Sequence, residues 1–201
     1  MLQKENISIR YKIQSRADLL VKDDTVRSLA ESGCEEVWIG AESGSQKILD
    51  AMDKGTSIQQ IEEGTLLMKK YGIKPCFFLQ FGYLGESWED IQLTEKMLFD
   101  LMPADIGVSV SYPLPGTKFY EKVKTDLKQK ANWTDSDELL MMYNGTFSPE
   151  FYKKFHRYIH KKYRAKQTWL KVKKGQFALL IKWLYFVFVA KLNYRQVLTL
   201  K

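Results

Sequence analysis

Four times between Ile7 and Val123 a strand-like run is followed by a segment of helical periodicity. Strands joined by helical crossovers run parallel in one sheet, so this order points to α/β architecture built from βα units. The first run, "ISIRYKI", sets Ile7, Ile9, Tyr11 and Ile13 at period two, and a helix follows from about Asp24 to Ser32, with Asp23 to cap it and Gly33 to end it. The second is "EVWIGA". Its helix, Ser45 to Asp53, places Ile48, Leu49 and Met52 on one face and stops near Gly55. Ser57 and Gln60 have capping-box spacing and open a further helix carrying Ile58, Ile61, Thr65 and Met68. The third strand, "KPCFFLQFG" from Lys74 to Gly82, is nearly all apolar, as a strand covered on both faces should be. The turn "GYLGES" launches a helix over Trp88 to Leu101, and the fourth strand, "IGVSVSYP", leads through "PLPGT" into the short helix "KFYEKVK". Strands are thus expected near residues 7 to 13, 36 to 41, 75 to 82 and 106 to 112, forming a curved, partial barrel with its polar turns at one mouth.

The pattern weakens from Leu127 to Pro149, which divides the chain into a βα body at 1–126, a linker or small subdomain at 127–150 and a tail at 151–201. A chain of 201 residues that is 45% hydrophobic can bury one sizeable core. Cys34 and Cys76 stand 42 positions apart, so neither a disulfide framework nor a close-spaced ligand cluster can be read from them, and a reducing, cytoplasmic setting fits. "MLQKENISIR" has no apolar run of signal-peptide length. The net charge of +7 conceals a division: the tail holds fourteen of the 31 basic residues and no acid, which leaves the first 150 residues with seventeen basic against 24 acidic groups, about −7. An acidic body with a cationic appendix implies a separate anionic partner for the appendix.

Three of the four strands end in polar or glycine-rich turns, "GAESGS", "GYLGES" and "SYPLPGT", and in a parallel fold such turns converge where ligands bind. Singly, each is explained by the need to enter a helix. In their order and spacing, "SRADLL", "AESGCEEVWIGAESGSQKILDAMDKGTS", "KKYGIKPCFFLQFGYLGESWEDIQLT" and "SYPLPGTKFYEKV" resemble the catalytic barrel of the radical S-adenosylmethionine superfamily, in the branch that often carries a cobalamin-binding domain before the barrel. The resemblance covers about Ile7 to Val123. It implies a partial (β/α) TIM-like barrel of about four parallel strands with a helical C-terminal extension. It also implies S-adenosylmethionine as cofactor, with a four-iron four-sulfur cluster and cobalamin in the intact form, and a methyl transfer or rearrangement of a small-molecule or lipid-like substrate.

Carried onto this sequence, the resemblance makes Glu42, at the end of the second strand, the polar contact for the ribose or amino-acid part of the cofactor, with Ser43 beside it; the plain alternative for Glu42 is a cap for the next helix. Arg16 becomes a partner for the cofactor carboxylate or for substrate, against a surface salt bridge. Gly82 and Gly85 permit close backbone approach, and Tyr112 and Pro113 line the adenine side unless they serve only as a turn. Gln80 faces either the barrel interior or the helices; periodicity leaves this open.

The family's three-cysteine "CxxxCxxC" loop does not occur in the sequence, and Cys34 and Cys76 are too few and too far apart to replace it. The expectation is a C-terminal part of the barrel that begins at the third strand of six and is inactive alone, or else a non-catalytic α/β module attached by its tail. In the tail, Phe151, Phe155, Tyr158, Ile159 and Tyr163 recur at helical spacing among lysines and arginines. "FALLIKWLYFVFVAKL" holds an apolar run from Phe177 to Ala190 broken by Lys182; its fourteen residues span roughly 21 Å as a helix, short of a hydrocarbon core of roughly 30 Å. An interfacial membrane helix over 166–201, at the inner face of the membrane, and a helix docked on protein are equal readings; single-stranded nucleic acid is the weakest, and His156 with His160 lacks a third metal ligand.

Overall fold

A computed structural model describes residues 9–127 and 143–201, which divide into two compact units, one ending at Val108 and one beginning at Ser109. The first unit begins with β1 (Tyr11–Ser15), a short 3-10 turn at Ala17–Leu19 and α1 (Asp23–Glu31). It continues with β2 (Cys34–Glu42), α2 (Gln46–Ala51), α3 (Ile58–Lys70), β3 (Lys74–Phe81) and α4 (Trp88–Leu101). β4 (Asp105–Val110) completes a four-stranded sheet in the order β1-β2-β3-β4. The pairs β1/β2 and β2/β3 are parallel, and the sequential order is that of a barrel wall, so the fold is α/β of the kind the βα repeat predicts.

The local signals account for most element ends. Ser57 accepts from the Gln60 backbone N–H at 3.2 Å while the Gln60 side chain accepts from the Ser57 N–H at 2.9 Å, and Ser87 and Asp90 make the same reciprocal cap on α4. α1 departs from expectation: Asp23 makes no capping bond and lies within the helix, because its carboxylate is taken by Lys70 at 3.0 Å and the Tyr71 hydroxyl at 2.6 Å. β1 begins at Tyr11 and runs to Ser15, two residues beyond the expected end, held in register from Tyr11↔Cys34 to Ser15↔Ile39; the start of the expected strand, residues 7 and 8, lies outside the described residues.

Alternation along the strands separates two faces. Val37, Ile39 and Ala41, with Phe77, Leu79 and Phe81, are almost fully buried, and α1 and α3 pack on β2 and β3. The other face carries half-buried Glu36 and Trp38 and exposed Phe78, with the Trp38 and Phe78 rings stacked at 4.7 Å. Gln80 shares this second face, which is the interior of a closed barrel, and that resolves the ambiguity left by periodicity. Gly107 is there because Phe78 lies across it: a Cβ would stand 3.1 Å from the ring.

In the second unit α5 (Lys118–Val123) starts at Thr117, whose hydroxyl accepts from the Tyr120 N–H at 3.1 Å. Most of the expected 127–150 linker lies outside the described residues. α6 (Pro149–Lys173) opens with Ser148 as cap and Pro149 in its first turn, and Phe151, Phe155, Tyr158, Ile159 and Tyr163 form its buried face. α7 (Leu180–Leu200) returns antiparallel to α6 after a turn at Gly175 (φ 93°), since Tyr158 meets Tyr194 at 4.9 Å while Trp169 meets Trp183 at 4.7 Å. Here the sequence reading of length is corrected. The 3-10 turn at Phe177–Leu179 runs into α7 to give 24 helical residues whose most apolar window has mean hydropathy 1.4, long and apolar enough by length and composition to cross a membrane. The apolar run undercounted because the helix continues through Asn193, Arg195 and Gln196.

Candidate functional site at the strand ends

In the first unit the C-terminal ends of β2 and β3 lie side by side, with Glu42 in register with Leu79 and a ladder irregularity after Gly40. Glu42 takes a left-handed backbone (φ 55°), uncommon for a residue with a side chain, and so leaves the strand direction at that point. Its carboxylate folds back over Gly40: a Cβ on Gly40 would stand 2.9 Å from Glu42 Oε1, so a side chain there would displace the carboxylate from this position. Lys54 Nζ meets the same oxygen at 2.7 Å, and the Glu42 side chain retains 13% exposure. The helix-capping alternative does not describe Glu42; Ser45 is the residue that precedes α2.

The following turn is clamped to α4. Ser43 is fully buried, its hydroxyl 3.1 Å from that of Thr94 and accepting from the Ser45 N–H at 3.1 Å, while the Gly44 N–H donates to Thr94 Oγ1 at 2.9 Å. Ser43 thus shapes the turn from within. The turn after β3 is tied to the same structure: Lys47, on α2, donates to the Gly85 carbonyl at 3.2 Å and meets Asp90 at 2.5 Å, and the Tyr83 hydroxyl donates to the Ala51 carbonyl at 2.8 Å. Burial opposes the ionisation of Asp90, but Lys47, Ser45 and the Ser87 N–H outweigh it and hold its carboxyl down at about 2.

Gly82 and Gly85 both have positive φ (81° and 77°), and nothing lies within 4 Å of where a Gly85 Cβ would be. The Gly82 N–H donates at 2.6 Å to Glu86 Oε2, while Glu86 Oε1 is buried without a partner among the described residues. Burial pushes the Glu86 carboxyl up to about 8 against the pull of that N–H, so at neutral pH it is largely protonated. Arg16, after β1, is exposed; it binds Asp18 at 2.9 Å and reaches the Gly55 carbonyl at 3.4 Å, next to the lysine that pairs with Glu42. Tyr112 and Pro113 follow β4 and belong to the second unit, Tyr112 half-buried and Pro113 buried. Sequence reasoning missed Lys54, Glu86 and Thr94. Glu86 was visible as the acid closing "GYLGES"; Lys54 and Thr94 carried no local signal, because only the fold brings them to Glu42 and Ser43.

The cysteines are elsewhere. Cys34 begins β2 and Cys76 is third in β3, and burial raises both thiols, Cys76 to about 12. Neither offers a thiolate at neutral pH. Among the described residues no group of three His, Cys, Asp or Glu side chains is placed to hold a metal ion. The residues present do not fit a four-iron four-sulfur cluster.

A parallel barrel wall with an acid and two glycine turns at its C-terminal ends is the α/β arrangement in which ligands are received at the strand ends. The family model described as Radical SAM superfamily matches residues 1–98, just under half of the chain, and runs from β1 into α4. An uncharacterized methyltransferase of Pyrococcus horikoshii is 26% identical over 66% of this chain and 29% of its own length. The bacteriochlorophyllide d C-12(1)-methyltransferase of Chlorobaculum tepidum is 26% identical over 72% of this chain and 31% of its own length. The chain therefore spans about a third of these relatives. Among solved structures, the cobalamin-dependent S-adenosylmethionine radical enzyme OxsB covers 96% of this chain at TM-score 0.59 and 16% identity, with 35% of its own chain matched, a likeness of fold. The archaeal Elp3 of Methanocaldococcus infernus covers 57% of this chain at TM-score 0.52 and 25% identity, with 28% of its own chain matched.

Proposed function

We propose that this chain forms the S-adenosylmethionine-binding edge of a cobalamin-dependent radical SAM methyltransferase whose cluster ligands lie outside the 201 residues. The observation that carries the reading is Glu42: a carboxylate folded over Gly40 at the C-terminal end of a barrel strand, in the same unit as the turn where Gly85 leaves open space, inside the segment matched to the family. A carboxylate there suits the two ribose hydroxyls as an acceptor, and Lys54 at 2.7 Å orients it. Arg16 suits the carboxylate end of the same cofactor, and Gly82 and Gly85 its close backbone approach. Ser43 acts through the turn geometry alone. When bound, S-adenosylmethionine supplies a methyl or an adenosyl group; this chain orients it.

The relatives named as methyltransferases favour methyl transfer, and the cytoplasm suits two free, buried cysteines. The stacked Trp38 and Phe78 on the barrel-interior face favour a planar, apolar or lipid-like small molecule as substrate. The test is calorimetric titration of the full chain with S-adenosylmethionine. Glu42→Gln is expected to weaken binding about tenfold or more, the scale of a lost charged hydrogen bond. Equal affinity in wild type and variant would remove Glu42 from the site, and no binding by wild type would overturn the reading.

A further inference from the structure

α7 presents two unlike faces. Trp183, Phe186, Ala190, Tyr194 and Val197 turn toward α6 or are shielded, with Ala190 and Val197 buried. On the opposite side Phe177, Ile181, Leu184, Tyr185, Phe188 and Leu192 recur at i, i+4, i+7, i+8, i+11 and i+15 and are 43% to 81% exposed. Six large apolar side chains on one stripe exceed the scattered exposure normal for a soluble surface. Lys182 and Lys191 are nine residues apart, about two and a half turns, which puts them on opposite borders of the stripe. Lysines so placed can lay their stems along the apolar face with the ammonium groups directed away from it, while the polar side of the hairpin is supplied by α6, since α7 is apolar on both its covered and its open side.

Between α6 and α7 runs a groove of about 460 Å³ lined by His160, Lys161, Arg164, Lys171, Lys182 and Phe186. Lys161 stands over the Tyr185 and Phe186 rings at 5.2 and 5.4 Å, so part of the charge is fixed beside the stripe. No acid occurs anywhere from Phe151 to Lys201 to neutralise it. A cationic groove joined to an apolar stripe matches a surface that is itself layered, anionic outside and hydrocarbon within.

We propose that the α6–α7 hairpin docks the protein in the plane of an anionic lipid bilayer, the α7 stripe entering the acyl boundary and the Lys161–Arg164–Lys171–Lys182 groove receiving phosphate headgroups. α7 has the length to span a membrane, but it lies along α6, whose nine lysines and arginines would have to follow it into hydrocarbon. In-plane docking leaves those charges at the surface where the lipid phosphates are.

The test is co-sedimentation of the full chain with phosphatidylcholine vesicles, alone or containing phosphatidylglycerol. Binding is expected to need phosphatidylglycerol and to weaken as salt rises. The double variant Ile181→Asp/Phe188→Asp is expected to lower partitioning at least about tenfold, and Lys161→Gln/Lys182→Gln to lower it about tenfold while flattening the salt dependence. All four side chains lie on the surface of α7 or its groove, and unchanged circular dichroism will confirm that each variant is folded. Retention on neutral vesicles at high salt would mean a spanning helix and would overturn in-plane docking. So would no vesicle binding together with a dimer that Ile181→Asp/Phe188→Asp dissociates, which would make a second copy the occupant. Binding of inorganic phosphate or single-stranded RNA by the groove, with vesicles ignored, would overturn it likewise.

Discussion

Glu86 is a buried acid with one oxygen bonded and one not. Burial lifts its carboxyl to about 8; the Gly82 N–H and Lys47 oppose the rise and the Asp90 charge adds to it. In the unfolded chain a glutamic acid titrates near its ordinary value of about 4.3. Between those values the folded protein holds a proton that the unfolded chain has released, so this group makes stability fall as pH rises from about 4.5 to 8. Glu86→Gln keeps an oxygen to accept from Gly82 and cannot ionise. Urea unfolding at pH 5 should find the two proteins alike, whereas at pH 8 the variant should be more stable by on the order of 3 kcal/mol. A constant difference at both values would show that Glu86 is ionised in the fold. Glu42 differs from it in being paired, with Lys54 at 2.7 Å, and partly open to solvent.

The turn after β2 crosses α4 at close range. A Cβ on Gly44 would fall 2.4 Å from the Leu93 carbonyl and 2.6 Å from Thr94 Cα, both backbone atoms that cannot step aside. Gly44→Ala should therefore cost about 3 kcal/mol or more by forcing the turn off the helix, and should separate the Gly44 N–H from Thr94 Oγ1. Thermal unfolding is the measurement, and a change within about 0.5 kcal/mol would mean that the contact is looser than it stands. Helix α4 itself was legible residue for residue, Trp88 to Leu101, because its capping box is local. The role of its inner face in holding Ser43 was not, since Thr94 reads in sequence as one more position on an apolar stripe.

At the scale of the whole molecule, the βα unit carries the radical SAM match and the α6–α7 hairpin carries the positive charge. Anaerobic iron and sulfide reconstitution of this chain should yield no stoichiometric four-iron cluster, because its two thiols are buried and protonated. A defined electron paramagnetic resonance signal that disappears with Cys34→Ser or Cys76→Ser would contradict this. The chain spans about a third of its methyltransferase relatives, and the proposed S-adenosylmethionine binding is the property that can be tested on it alone.

The sequence by itself determined the succession of elements, the parallel sheet, the family and the position of Glu42 at a strand end. Each of these rests on periodicity, caps and turn residues, which act over a few neighbours along the chain. Only the tertiary structure decided that the Glu42 carboxylate folds over Gly40 toward Lys54, and that Ser43 is buried against Thr94. It also decided that Gln80 faces the barrel interior and that Asp23 serves Lys70 and Tyr71 instead of capping α1. The tail divides the same way: its charge and apolar run were plain, but which side chains α6 covers and which α7 leaves outside depended on packing between residues fourteen and thirty-six positions apart, in the ring pairs Trp169–Trp183 and Tyr158–Tyr194. Side-chain partners are chosen by proximity in space, and a linear pattern records proximity only along the chain.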